Sequence, residues 1–520
     1  MQPAYANWLE NSKKTTASGQ FEKMATFVAS SQALQLPHER LEEWLTKEGR
    51  ELQRRLLQEH LDLRTKAESR LAEVQDAKGL KHGRVRLLSR ELGSVFGSVR
   101  VWRLGYQADG VPCLCPLDAG LNLPPELYSY GVRRLVALHA ARSSFDEVVE
   151  ELQSVTGASV CKRQAEELAW AAAQDFEAFY TERHPDTTAA SSQALLVLTV
   201  DAKGIVVRKE DLREATRRAA ERSSPKLEKR LTKGEKRNRK RMAEVAAVYL
   251  VEPFERNAED VIRELGPIHE VSTPRPRPTN KRVWASVVED AIDVIDEAFR
   301  EAKRLDPNCE RQWVVVVDGD PDQIRAVRKV AAKHRVQVTL VLDVVHVLEY
   351  LWKAAYCFHP EASKEAEAWV TKRLRALLTG HDPSQIAAGI RRSATCQQLS
   401  SKQREPADAC ARYLINKRSM LDYAEALRQG FPIATGVVEG ACRYLVKDRM
   451  DRTGARWSLD GAEAVLRLRA LRTNGDFDAY WEFHLDREYQ RNHCAHYAEG
   501  NVPDPLAVAS PRKPHLRIIK

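Results

Sequence analysis

The spacing of apolar positions changes several times along the chain, and each change predicts a different element. Leu41, Trp44, Leu45, Leu52, Leu56 and Leu63 recur at near-helical intervals and predict one long helix over residues 38–75. Arg84-Val-Arg-Leu-Leu88 and Val95-Phe-Gly-Ser-Val-Arg-Val-Trp-Arg103 predict short strands around a Gly turn within 83–104. Helical spacing returns over 143–174 as two helices about a tight turn. Ser144-Phe-Asp-Glu147 has the form of a capping box, with Phe145, Val148, Val149 and Leu152 as its apolar face. Thr156-Gly157-Ala158 makes the turn, and the second helix starts near Ser159 with Ala165, Leu168 and Ala169 inward.

A continuous apolar run, Leu195 to Val200, is a buried-strand pattern ending at Asp201. Ala243–Val251 predicts a second strand. Thr273-Pro-Arg-Pro-Arg-Pro278 excludes a helix and predicts an extended connection. Then follow an amphipathic helix over 283–303, a strand Trp313–Val317 ending at Asp318, a helix Gln323–His334 and a strand Val336–Leu342. Strands alternating with helices in this way predict a mixed α/β sheet. From His346 to about Gln429 strand signals cease. Leu348, Leu351, Trp352, Tyr356, Trp369, Leu374, Leu377 and Leu378 predict packed helices there. Ala434–Arg443 reads as the start of a helix carrying Glu439. The Pro-rich, basic stretch from Asn501 predicts a disordered tail.

Composition narrows the class. A chain of 520 residues suggests about three to four domains. No apolar run approaches the roughly 18 residues of a membrane helix, so no membrane partner is expected. The first ten residues have neither a basic start nor an apolar core, so no signal peptide is expected. Nine scattered cysteines imply no disulfide framework and fit a reduced cytosol. Cys113-Leu-Cys115 lacks the well-spaced second pair of a zinc site, and nothing in the sequence ties it to His493, Cys494 and His496. Net charge is +9, and its distribution matters more than its sum. Residues 203–241 hold 16 Lys/Arg against 6 Asp/Glu, while the rest holds 66 against 67. The entire basic excess follows directly after Asp201. Arg237, Arg239, Lys240 and Arg241 at its end are candidates for contact with a polyanion backbone.

Candidate chemistry concentrates on carboxylates. Two Asp at the ends of strands and a helical Glu can hold Mg²⁺ through oxygen ligands and leave positions for water and phosphate. Asp201, Asp318 and Glu439 form that trio. Asp320 competes with Asp318, but it precedes Pro321 and fits the cap of the following helix. On a continuous helix Glu439, Arg443 and Lys447, at i, i+4 and i+8, would share a face, with the cations toward phosphate. In the 143–174 helix pair, Lys162, Arg163 and Gln164 occupy the first turn of a second helix, where a helix-turn-helix meets base edges.

In this order the motifs resemble the ribonuclease H-like fold of DDE transposases. More closely, the chain resembles the Kra-type family of bacterial insertion-sequence transposases, related to the Mutator-like group. Leu-Thr-Val-Asp201 corresponds to the first catalytic Asp, Val-Val-Val-Val-Asp318-Gly-Asp to the second, and Thr435-Gly-Val-Val-Glu439-Gly to the Glu. Asp343-Val-Val-His346 matches the Asp-x-x-His motif of the Mutator-like group, in a supporting role. Leu114–Glu126 also resembles a family segment, and the likeness spans about 90 to 485. The resemblance implies an α/β ribonuclease H-like core, interrupted by an all-helical insertion and preceded by a mainly helical DNA-binding region. The corresponding organisation is an N-terminal region 1–125, a helix-turn-helix domain 126–190, core 191–345 with the basic insertion 203–241, helical insertion 346–430, closing helices 431–485 and tail 486–520. It further implies two Mg²⁺ or Mn²⁺ ions, element terminal inverted repeats and target DNA as partners, a homo-oligomer, and a place at the bacterial nucleoid in the cytoplasm. An inactive DNA-binding regulator or a structure-selective nuclease would share most of these features. The intact acidic trio disfavours the regulator, and the large helical insertion disfavours the nuclease.

Overall fold

The computed structural model describes residues 16–183, 190–222, 239–265, 274–452 and 454–506. The chain forms two compact units. One comprises Met1–Phe179 with Asp476–Lys520, the other Tyr180–Gly475.

In the first unit, helix α1 (Ala17–Val28) precedes the long helix α2 (His38–Ala67). The sequence predicts that helix to residue 75, but it stops at Ala67. Glu68 turns extended, and its side chain accepts the backbone N–H of Leu104 at 2.9 Å. Tertiary pairing wins there over helical periodicity. The alternating segment is one hairpin, β1 (Arg84–Ser94) and β2 (Gly97–Gln107), paired along its whole length. Leu92, Val99 and Val101 pack against Leu57 and Leu61 of α2. Helices α3 (Tyr130–Ala140), α4 (Phe145–Val155) and α5 (Lys162–Ala172) follow. The capping box forms: Glu147 N–H bonds Ser144 Oγ at 3.3 Å, and Ser144 N–H bonds Glu147 Oε2 at 2.7 Å. Gly157, between α4 and α5, lies so close to the hairpin turn that a Cβ would sit 2.4 Å from the carbonyl oxygen of Phe96. Any larger residue would force the two turns apart.

The second unit is a mixed α/β layer. Its strands are β3 (Leu195–Val206), β4 (Lys240–Val251), β5 (Thr279–Ser286), β6 (Trp313–Val317) and β7 (Thr339–Leu342), in the order β5-β4-β3-β6-β7. β4 runs antiparallel to both neighbours, whereas β6 and β7 run parallel to β3. Two expectations fail here. Strand β3 does not end at Asp201 but continues to Val206, because β4 pairs with it along its full length. The segment from Val283 starts as strand, and helix α6 spans Ala291–Leu305. Periodicity alone does not separate a short buried strand from a helix start. Arg282 in β5 is buried, donates to Glu301 at 2.9 Å and Glu297 at 2.5 Å, and lies 3.7 Å over the Tyr180 ring. Helix α7 (Pro321–His334) joins β6 to β7. The helical block follows as the sequence indicates, with α8 (Val344–Ala355), α9 (Lys364–Leu378), α10 (Pro383–Cys396) and α11 (Ser401–Asn416). Helix α12 (Gly436–Ala441) then runs into a π-turn, Cys442–Lys447, and helix α13 (Leu459–Asn474) closes the unit. Among the described residues no helix is long and apolar enough to cross a membrane.

Candidate active site

The site lies where parallel strands β3, β6 and β7 approach helix α12. Thr199 of β3 pairs with Val316 of β6. Asp201 and Asp318 each stand two residues further on, so successive side chains alternating across the sheet bring both to the same face. Asp201 Oδ1 accepts the N–H of Ala202 at 2.7 Å, and Asp318 Oδ1 accepts the N–H of Asp320 at 2.8 Å. Asp320 caps α7 through Asp322 and Gln323, with Pro321 in the first turn. That assigns Asp320 to the helix and leaves Asp318 at the strand end. Gln323 returns a bond to the Val200 carbonyl at 2.8 Å, tying α7 to the strand that carries Asp201.

Asp343 is fully buried at the end of β7 and caps α8 through the N–H of Val345 at 2.7 Å. Its other oxygen receives the backbone N–H of Thr435 at 3.2 Å and lies against the Thr435 hydroxyl. That hydroxyl also lies 3.3 Å from Glu439 Oε1. Together with the bond from Val344 N–H to the Ile433 carbonyl at 2.9 Å, these contacts bring the Glu439 helix to the sheet. His346, one turn into α8, places Nδ1 3.5 Å from Asp343 Oδ2. The Asp343 carboxylate, helped by Asp318 and Glu349, raises the imidazole to about 9, so it carries a proton at neutral pH. Glu439 is also raised, by burial first and then by the charges of Asp343 and Asp201.

The fold therefore gathers Asp343, His346 and Glu439 most tightly, with ligand atoms within 4.8 Å of one another. Asp201 and Asp318 flank this group, and the trio Asp201, Asp318 and Glu439 is not itself drawn that close. Asp343 has its oxygens committed to Val345 and Thr435, so it is a scaffold more than a free ligand. Asp318 and Glu439 each have one carboxylate oxygen that takes no hydrogen bond from the described residues, whereas both Asp201 oxygens have a partner, the Ala202 N–H on Oδ1 and the Cys442 thiol on Oδ2. Four carboxylates against one imidazolium leave excess negative charge, and this oxygen-rich set fits a hard divalent cation such as Mg²⁺ or Mn²⁺.

Two partners escaped the sequence reading. Cys442 is buried and points its Sγ at Asp201 Oδ2, 3.2 Å away. It lies three residues after Glu439, a spacing that could have revealed it. Thr435 stands one turn before Glu439 and could have been found in the same way. The π-turn overturns another expectation. Arg443 and Lys447 do not continue one α-helix with Glu439, because the wider turn between Cys442 and Lys447 changes the angle between successive side chains. Both are exposed.

The remaining sequence candidates divide. Lys162 and Arg163 are exposed on the first turn of α5, paired with Asp146 at 2.7 Å and Glu167 at 3.0 Å. Gln164 turns inward, and its Oε1 accepts from Tyr128 Oη at 2.7 Å. Arg237 lies outside the described residues. Arg239 is half-buried and Lys240 exposed, whereas the Arg241 guanidinium bonds the carbonyls of Val287 at 2.8 Å and of Asp211 and Val288 at 3.4 Å. Arg241 thus clamps loops together. Cys113 and Cys115 are half-buried free thiols. A second gathered group, Asp175, His484 and Glu488, sits in the first unit. Arg491 already supplies its cation, and Gln174, Tyr130 and Asn492 take the remaining Glu488 bonds. That group is an internal ion network.

Comparison with protein-family models and with curated proteins gives no match for this chain.

Proposed function

We propose that this chain is a metal-dependent DNA transposase whose second unit has a ribonuclease H-like core. The observation that carries the reading is the pair Asp201 and Asp318 on adjacent parallel strands, facing a helix-borne Glu439 across a sheet with one antiparallel strand. A helical block between the last strand and that helix supports it further. Asp201, Asp318 and Glu439 would hold two Mg²⁺ or Mn²⁺ ions, which when bound activate water or a 3′-OH and stabilise the leaving oxygen. Asp343 fixes His346 and, through Thr435, the start of the Glu439 helix. His346 brings a positive charge beside Asp318, where a phosphate would lie. Arg443 and Lys447 offer exposed cations to the DNA backbone. Cleavage followed by joining uses one site twice by in-line displacement, so no covalent protein–DNA intermediate is needed. Self-association into a homo-oligomer would let two element ends be processed together.

The test is first whether inverted repeats flank the coding region, and then incubation of the purified chain with labelled DNA that carries them. Strand cleavage and joining should require Mg²⁺ or Mn²⁺. Undiminished cleavage in excess chelator would sink the reading, and cleavage without joining would assign a nuclease. Lys162 and Arg163 supply a second measurement. Replacing both by Ala should weaken binding to element ends by about 1–3 kcal/mol per base contact and leave binding to random DNA less affected. Equal losses on both DNAs would reduce α5 to a backbone contact.

A further inference from the structure

We infer that the helical block buttresses the acidic site through two tyrosine hydroxyls, each fixing the main chain beside one of its aspartates. Tyr413, on α11, donates its hydroxyl to the carbonyl of Asp318 at 2.9 Å. Tyr423, at the start of the short helix Tyr423–Arg428, donates to the carbonyl of Leu342 at 2.9 Å, immediately before Asp343. Asp318 directly follows the last residue of β6, and Leu342 is the last residue of β7, the edge strand of the sheet. A buried carbonyl left unpaired there would be costly and would let the strand end move. Burial raises both phenols above their ordinary range.

The contact at Asp318 is shaped as well as bonded. Gly319 has φ +97°, a conformation side chains rarely adopt, and a Cβ there would lie 2.7 Å from Tyr413 Oη. The ring of Tyr413 closes over the turn between Asp318 and Asp320. On its other side it stacks on Tyr350 of α8, with centroids 4.0 Å apart and planes 14° from parallel. Helix α8 is the one that Asp343 caps and that carries His346. One aromatic stack thus joins the Asp318 turn, the Asp343 helix and α11. The helical block thereby sets the distance between carboxylates, and an error of about 1 Å there can cost on the order of 100-fold in rate. Tyr413 and Tyr423 are positioning residues, and their role in the reaction rests on the function proposed above.

Tyr413→Phe keeps the ring and removes only the hydroxyl. Three quantities distinguish the outcomes: amide hydrogen exchange at Gly319 and Asp320, Mn²⁺ affinity from the electron paramagnetic resonance of free Mn²⁺, and the kcat and KM of DNA cleavage. The expected result is faster exchange at the Asp320 amide, Mn²⁺ affinity weaker by about fivefold, and kcat lower by about tenfold with KM for DNA unchanged. Tyr423→Phe should reproduce the Mn²⁺ effect at the Asp343 side, and Tyr413→Phe decides alone if that deeply buried variant does not fold. Unchanged exchange in Tyr413→Phe overturns the buttress, whatever happens to the rate. Wild-type protein without metal-dependent cleavage would overturn the proposed function, while the exchange comparison would still decide the buttress.

Discussion

Asp318→Asn is expected to lose strand cleavage by on the order of 10³-fold or more, whereas Asp320→Asn should keep most of it. Losing one ligand charge removes several kcal/mol of transition-state stabilisation from a metal-assisted displacement. Asp320 works through its side-chain oxygen as a helix cap, and Asn caps as well as Asp. Asp201→Ala and Glu439→Ala should match Asp318→Asn. DNA binding should survive in all three, because backbone contacts depend on distant cations. The two Asn variants, compared side by side for cleavage and for DNA binding, give the answer. An active Asp318→Asn beside a dead Asp320→Asn would reverse the assignment.

Asp343→Ala should carry the largest cost in stability, about 3 kcal/mol. It removes a helix cap and strands the buried N–H and hydroxyl of Thr435. Chemical denaturation of wild type, Asp343→Ala and Asp343→Asn measures it. Asn retains a cap oxygen and should recover part of the loss, and an Asp343→Ala variant as stable as wild type would show that the Thr435 bonds are dispensable. The pair also sets a pH dependence in metal-free protein. Burial pushes the Asp343 carboxyl up, but the His346 imidazole beside it and the bonds from Thr435 and Val345 outweigh burial and hold it below its ordinary range. Its contribution is therefore present above about pH 4 and lost as pH falls through the folded value. His346 is raised to about 9, so its contribution is complete below about 6.5 and lost as pH rises through 9. Melting temperature should fall between pH 6.5 and 9 in wild type, and a His346→Gln variant should lack that component of the slope. Identical slopes in the two proteins would mean that the imidazole does not carry its proton there.

Individual elements show how far the sequence reaches. The runs Leu195–Val200 and Trp313–Val317 were legible as buried-strand candidates, because short continuous runs rich in β-branched and aliphatic residues leave no face for water. The capping box at Ser144 and the cap at Asp320 were legible because each is a contract between residues three positions apart or fewer. The helical block was legible from periodicity, and the carboxylates from their place at the ends of runs. Other features depend on partners far away in the chain. Strand β3 outruns Asp201 because β4, some 40 residues later, supplies its ladder. The Val283 segment becomes strand because β4 also offers it an edge. Gln164 faces inward because Tyr128 waits there, and Arg241 is a clamp because three loop carbonyls converge on it.

The candidate site divides along the same line. Sequence alone determined that Asp318 and Asp343 follow strands and that Glu439 lies at a helix start, since local hydrophobic runs and caps set those places, whereas Asp201 ends its apolar run but stands inside β3. Only the tertiary structure decided which of them meet. It made Asp343 a buried scaffold, drew Glu439 to it through Thr435, set Cys442 against Asp201 and placed two tyrosines of the helical block on the strand ends. The physical reason is that a carboxylate's role depends on what desolvates it and which donors reach it, and those groups arrive from positions the chain brings together only when the sheet has formed.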